Sequence, residues 1–132
     1  MSRQIFVNLP VKHLATSVDF FAALGFDFNP RFTNDKGTCM VVAENISVML
    51  LVESFFQTFT DRRIADPREQ TGALVCLSCQ SDAEVDDLVA RAVAAGGRAY
   101  RSPQDHGFMY GHGFEDPDGH IWELVHMRTL PA

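Results

Sequence analysis

The chain reads as one structural unit written twice, and nothing else in it constrains the fold as tightly. Residues 5–11, I-F-V-N-L-P-V, alternate Ile5, Val7, Leu9 and Val11 with Phe6, Asn8 and Pro10, the period of a strand with one face on the core. A helix follows. Thr16 or Ser17 supplies a capping hydroxyl, Val18, Phe21, Ala22 and Leu24 recur at helical spacing, and Gly25 is the stop. Residues 26–32, 38–43 and 46–52 read as three strands, with turns at 34–37 and 44–45. Residues 53–71 break the pattern: Phe55, Phe56 and Phe59 mark a short helix, and the charged stretch 61–69, with Pro67, reads as a connector. Then the order restarts. A strand over 73–79 leads to a helix capped by Ser81 or Asp82, which runs through Val85, Leu88, Val89, Ala92 and Val93 to Gly96 and Gly97. Strands over 98–101, 108–115 and 120–127 follow, the last two joined by Asp116-Pro117-Asp118-Gly119.

The order is therefore β-α-β-β-β, connector, β-α-β-β-β, and a period of about 70 residues marks a duplicated half-domain rather than a solenoid. Leu9-Pro10-Val11 aligns with Leu77-Ser78-Cys79, Leu24-Gly25-Phe26 with Ala95-Gly96-Gly97, and Asn45-Ile46-Ser47-Val48-Met49-Leu50 with Gly119-His120-Ile121-Trp122-Glu123-Leu124. The expected class is α+β: one domain over 1–132, with module 1 at about 1–53, a connector at 54–71 and module 2 at 72–132. Two such modules make a curved mixed sheet with helices on the convex side and a cavity on the concave side.

Length and composition narrow the function classes. At 132 residues the chain is too short for a two-domain dehydrogenase or an α/β barrel of about 250 residues. Its 46% apolar and 21% charged content excludes general disorder. A net charge of −6 argues against a nucleic-acid partner, which calls for a basic face. No apolar run approaches the roughly 18 residues of a membrane span, and no leader-type apolar segment opens the chain, so neither membrane nor secretion is expected. Three cysteines, Cys39, Cys76 and Cys79, read as free thiols in a reducing cytoplasm. No phosphate-binding glycine loop occurs.

The stretch L-P-V-K-H-L-A-T-S-V-D-F-F-A-A-L-G-F resembles the first strand and helix of the vicinal oxygen chelate superfamily, which holds glyoxalase I, extradiol dioxygenases, fosfomycin-resistance enzymes and bleomycin-binding proteins. F-E-D-P-D-G-H-I-W-E-L is similar to the closing hairpin of that superfamily, in which D-P-x-G turns the chain and the Glu is a metal ligand. The resemblance covers nearly the whole chain. It implies four ligand positions, two in each module, and these fall here on Phe6, Met49, Leu74 and Glu123. Phe6 and Leu74 offer no donor. Met49 offers a thioether suited to soft metals, and a single carboxylate does not hold a hard divalent cation. No metal cofactor is therefore expected, a divalent metal being the alternative.

The segment from His106 to Gly113, H-G-F-M-Y-G-H-G, is the most unusual in the chain. Glycines 107, 111 and 113 lie in or near a strand, where glycine often marks a bulge or a close approach. If Glu123 faces the cavity, Met109, Gly111 and Gly113 share its face, and the missing side chains leave room for a ligand. His106, Tyr110 and His112 then sit at the rim or against the helices, either as structural hydrogen-bonding residues or as groups that bind or protonate a ligand. Glu123 either pairs with Arg31, Arg101 or another chain, or is held protonated as an acid/base. Cys76 and Cys79 lie three apart on a strand and so point to opposite faces, which speaks against a shared metal or a redox pair. Asp116–Gly119 lacks the later ligands of a calcium loop and reads as a plain turn.

Two readings result, beside a plainer third, a structural or regulatory dimer with no turnover. The first is a metal-independent protein that binds a small, partly apolar organic molecule. Phe6, Met49, Leu74 and Met109 would form its apolar wall, Gly111 and Gly113 the floor, and Asn8, Glu123, His106, Tyr110 or His112 the polar contacts, with Glu123, His112 and Tyr110 as the candidate catalytic groups. The second is a metal-dependent lyase or isomerase of the glyoxalase type, or a dioxygenase relative. In either case a homodimer is expected, because the aromatic connector offers apolar surface to bury.

Overall fold

The computed structural model describes residues 3–128. Two compact units divide the chain after Ala65. The first carries β1 (Ile5–Val11), α1 (Leu14–Ala23), β2 (Asp27–Asn29), β3 (Gly37–Ala43), β4 (Ile46–Val52) and a short α2 (Glu53–Phe56). The second carries β5 (Val75–Ser78), α3 (Asp82–Ala94), β6 (Arg98–Asp105), β7 (Met109–Glu115) and β8 (Ile121–Met127). The class is α+β with two tandem βαβββ modules, and each module has its own four-stranded mixed sheet, ordered β1-β4-β3-β2 and β5-β8-β7-β6. In each the first and last strands pair in parallel, Val7 opposite Val48 and Leu77 opposite Leu124, and the remaining pairs are antiparallel. No helix among the described residues is long and apolar enough to cross a membrane.

The alternation read in the first strand holds in its second half, where Leu9 and Val11 are buried and Asn8 is exposed; at the start of the strand Ile5 is as exposed as Phe6. Phe20, Phe21 and Leu24 of the first helix segment are buried, as are Met40, Val48 and Leu50 of the sheet. Both long helices stop the same way. Gly25 and Gly96 take φ of 98° and 107°, which a Cβ would strain. Paired backbone bonds close each end: Gly25 to Ala22 and Phe26 to Phe21 in the first unit, Gly96 to Val93 and Gly97 to Ala92 in the second, all donated by N–H groups to carbonyls. The helix starts differ. Ser81 caps α3, its Oγ accepting from Glu84 N–H at 3.0 Å, and Glu84 returns the bond by accepting from Gln80 N–H at 2.7 Å.

Four elements depart from the sequence expectations. α1 begins at Leu14 behind His13, with no side-chain cap, so Thr16 and Ser17 lie inside the helix and Ser17 is buried. The strand expected over 26–32 stops at Asn29: Pro30 has no N–H to give a ladder, and Asn29 Oδ1 accepts from Arg31 N–H at 3.0 Å, winding 30–32 into a 3-10 turn. The strand expected over 73–79 is limited to Val75–Ser78. β6 runs four residues further than expected because a bulge between Tyr100 and Gln104 lets pairing to β7 resume.

The segment after β4 is helical as expected: α2 continues into a 3-10 turn at Gln57–Phe59. Phe55 and Phe59 meet edge to face at 5.2 Å, Lys36 sits 5.8 Å from the Phe55 ring centre, and Gln57 Nε2 donates to the carbonyls of Thr60 and Arg62. Two of the three phenylalanines thus pack within their own unit, although Phe59 remains 67% exposed.

Candidate functional site

α3 packs on one face of the second sheet, chiefly against β7. Strand alternation then sorts every candidate residue of this unit. Tyr110, His112, Phe114, Trp122, Leu124 and His126 belong by alternation to the α3 face; Met109, Gly111, Gly113, Glu123 and Val125 belong to the opposite one. A hollow of about 480 Å³ lies on that opposite face. Its floor is Gly111 and Gly113, its apolar lining is Leu74, Met109, Ile121 and Val125, and its polar rim includes Arg101, Ser102, Gln104, His106 and Glu123. Register explains the grouping, since Gly113 stands opposite both Tyr100 and Glu123, and Gly111 opposite Gln104 and Val125.

Of the residues singled out in the sequence, the second unit brings Glu123, His106, His112, Leu74, Met109, Gly111 and Gly113 to the border of this hollow. Among the described residues the Glu123 side chain forms no hydrogen bond or ion pair, so a neutralising partner at Arg101 is not in place. His112 Nε2 lies 2.9 Å from the carbonyl oxygen of Arg101, to which it donates. Tyr110 points the other way: its hydroxyl donates to Asp86 on α3 at 2.6 Å, and the same bond, more than burial, pushes its pKa up. A role for Tyr110 beside Glu123 therefore has no geometric basis here. Phe6, Asn8 and Met49 belong to the first unit, where Asn8 stands opposite Met49 across the parallel pair, on the face that also carries the half-exposed Phe6.

The two glycines correct the expectation that their missing side chains simply leave room. A Cβ on Gly113 would come within 2.9 Å of the Trp122 carbonyl oxygen, and one on Gly111 within 3.3 Å of that of Leu124. Glycine is demanded at 113 by the close approach of β8, so the flat floor is a by-product of strand packing.

The superfamily resemblance implies a metal held from four positions. Glu123 alone of Phe6, Met49, Leu74 and Glu123 carries a hard donor, and among the described residues no group of three His, Cys, Asp or Glu side chains converges. Cysteine chemistry is equally unpromising. Cys76 stands opposite Glu123 on the edge strand, and although it is exposed its thiol is pushed up, first by partial desolvation and then by Glu123. Burial and then Glu84 push Cys79 up to about 11. Both thiols stay protonated near neutral pH and are poor nucleophiles.

The α3 face carries the strongest electrostatics, which sequence reading missed because its partners are 23 to 46 residues apart. Arg128 clamps Asp82 at 2.5 Å and Asp105 at 2.7 Å and lies 5.4 Å over the Tyr110 ring, while His126 Nδ1 lies 2.8 Å from Asp82. These contacts tie the end of β8 to the start of α3. The bond from Arg128, then that from His126, lower the Asp82 carboxyl from 3.8 to about 2. A carboxyl depressed in the fold stabilises above its unfolded value and loses that contribution as pH falls through the folded one. Asp82→Asn should therefore lower the melting temperature at neutral pH, and its gap to wild type should close between about pH 4 and about pH 2. Melting curves across that range check this; a gap unchanged at pH 2 would refute it.

The fold agrees with solved structures. A hypothetical protein, SA1046, from S. aureus is 28% identical, with a TM-score of 0.80 over 95% of this chain and 94% of that one. A glyoxalase-related enzyme from Fulvimarina pelagi is 22% identical, with a TM-score of 0.81 over 99% and 92%. The fosfomycin resistance protein FosX from Listeria monocytogenes is 19% identical, with a TM-score of 0.69 over 96% and 93%, and shares the fold. No curated protein matches the chain in sequence. The family model that matches spans residues 3–124, both modules and the hairpin that carries Glu123, and with the duplicated βαβββ order it makes this chain a member of the glyoxalase/bleomycin resistance protein/dioxygenase superfamily.

Proposed function

We propose that this chain binds a small, partly apolar organic molecule in the hollow beside Glu123, without a divalent metal, as a cytoplasmic homodimer. The hollow carries the reading. Its volume of about 480 Å³ falls within the range of roughly 300–1,000 Å³ for small-molecule sites, and it sets apolar side chains beside a strongly polar rim. The residues at the superfamily's ligand positions support the metal-free part, since three of the four lack a hard donor. Of the three candidate proton-transfer groups only Glu123 and His112 border the hollow, so binding rather than turnover is the function proposed.

Protein purified without chelator should hold far less than one Mn, Fe, Ni or Zn per chain, and should scatter light at about twice 14.7 kDa. A fragment screen read by thermal shift should give stabilising hits, because a ligand that binds only the folded state raises its melting temperature. Leu74→Trp should abolish those shifts by filling the hollow; Leu74 is 53% exposed, so the larger ring leaves the core intact. One equivalent of metal lost on Glu123→Ala would overturn the metal-free reading. Hits indifferent to Leu74→Trp would place the site elsewhere.

A further inference from the structure

We propose that the hollow selects an organic monocarboxylate with a hydrogen-bond donor at its far end, Arg101 taking the carboxylate and Glu123 the donor. This rests on the hollow being the ligand site and specifies what it takes.

Arg101 carries the inference. Its φ of 60° is the one positive value among the described residues that are not glycine. A long side chain rarely adopts that conformation, and residues held there cluster at binding and catalytic sites. The cause is the β6 bulge. Tyr100 pairs with Gly113 and Gln104 with Gly111, so three residues, 101 to 103, stand against His112 alone. His112 Nε2–H donates to the Arg101 carbonyl at 2.9 Å and ties the bulge to β7. In a regular strand Tyr100 and Arg101 would face opposite sides. Here both border the hollow, with the guanidinium 5.3 Å from the Tyr100 ring centre.

The charge arrangement defines the ligand. Of the arginines in this unit, Arg91, Arg98 and Arg128 each pair with a carboxylate and Arg68 donates to the Pro117 carbonyl, whereas the Arg101 guanidinium has no ion pair among the described residues. Glu123, bordering the same hollow, has none either. β6 and β8 flank β7, so the two side chains start roughly 10 Å apart, two strand spacings. Between them lie Gly111 and Gly113, a flat floor for an apolar or aromatic body. A guanidinium binds a carboxylate through two parallel N–H bonds, and a carboxylate such as Glu123 accepts from a hydroxyl or amine. One guanidinium, a fixed carboxylate nearby and a chain charge of −6 favour a singly over a doubly charged anion.

The test uses para-hydroxyphenylpropanoate, its amide, its phosphonate analogue and phenylpropanoate, each titrated into the protein and followed by amide-resolved NMR. The acid should shift Gly111 and Gly113 and bind about tenfold or more tighter than the amide, the effect of one charge-assisted pair. Phosphonate and des-hydroxy probes should each bind more weakly than the acid. Arg101→Gln should erase the difference between acid and amide, Arg101→Lys should restore part of it, and raised salt should weaken only the acids. If acid and amide shift Gly111 and Gly113 equally, or Arg101→Gln keeps the preference, the carboxylate assignment falls and the hollow stands. If the phosphonate binds best, the monocarboxylate is wrong. Shifts confined to other residues, or no saturable binding by any probe, overturn the proposal together with the hollow as its site.

Discussion

Asp116→Ala is expected to lower unfolding stability by about 2–4 kcal/mol, because four donors lose one acceptor in a place water does not reach. Asp116 is 3% exposed. Its Oδ1 accepts from the N–H groups of Asp118, Gly119 and His120 at 3.0 to 3.1 Å, which closes the turn between β7 and β8. Its Oδ2 accepts from Trp122 Nε1–H at 3.1 Å, and that ring, fully buried, stacks on Phe114 with the planes 1° apart. One carboxylate thus joins the turn to the largest side chain in the core of this unit. Burial pushes its pKa up, while His120 and the Trp122 bond oppose the rise. Asp116→Asn keeps an acceptor for the turn but sets an amide donor or a weaker acceptor against the indole, so it should fall between wild type and alanine. Urea unfolding followed by the Trp122 fluorescence measures all three; an alanine variant within about 0.5 kcal/mol of wild type would show that the turn holds without its carboxylate.

Gly113→Ala should cost about 1–3 kcal/mol, and Gly111→Ala clearly less. Alanine ordinarily favours a strand over glycine, so the sign here comes from the neighbour. The new Cβ at 113 meets a backbone oxygen at 2.9 Å, which cannot swing away as a side chain would, whereas the contacts at 111 are 3.3 and 3.4 Å. Leucine at 113 should break the pairing of β7 with β8 rather than fill the hollow. Variants that block the hollow therefore belong at Leu74, and denaturation midpoints of the two alanine variants test the ranking. Equal midpoints would remove the steric account.

The repeat was legible from the chain alone because it is written in local chemistry. Period-two alternation over Ile5 to Val11, helical spacing over Val85 to Val93, and glycine stops at Gly25 and Gly96 depend on residues a turn or a strand apart, and the structure keeps the elements and the stops, with Ile5 and Val93 the apolar positions that stay exposed. The closing hairpin was legible for the same reason, since Asp116, Gly119 and Trp122 meet within seven residues. Misread boundaries also had local causes, with Pro30 ending a strand and His13 preceding a helix that begins without a hydroxyl cap.

The hollow is another matter. Alternation could place Met109, Gly111, Gly113 and Glu123 on one face, but it could not say whether a bulge would turn the neighbouring strand. Arg101 borders the site because the three residues of β6 between Tyr100 and Gln104 stand against a single residue of β7, and that mismatch exists only once the strands pair. Tyr110 was lost to the site for a similar reason: Asp86, 24 residues earlier, lies under it only after α3 has packed on the sheet. Glycine at 113 and the clamp of Arg128 on Asp82 and Asp105 likewise take their meaning from segments far apart in sequence. Short-range patterning encodes elements and their faces, because propensity and periodicity act over a few residues. The identity of a side chain's neighbour across a sheet depends on register and on helix packing, which emerge only when the whole unit has buried its core.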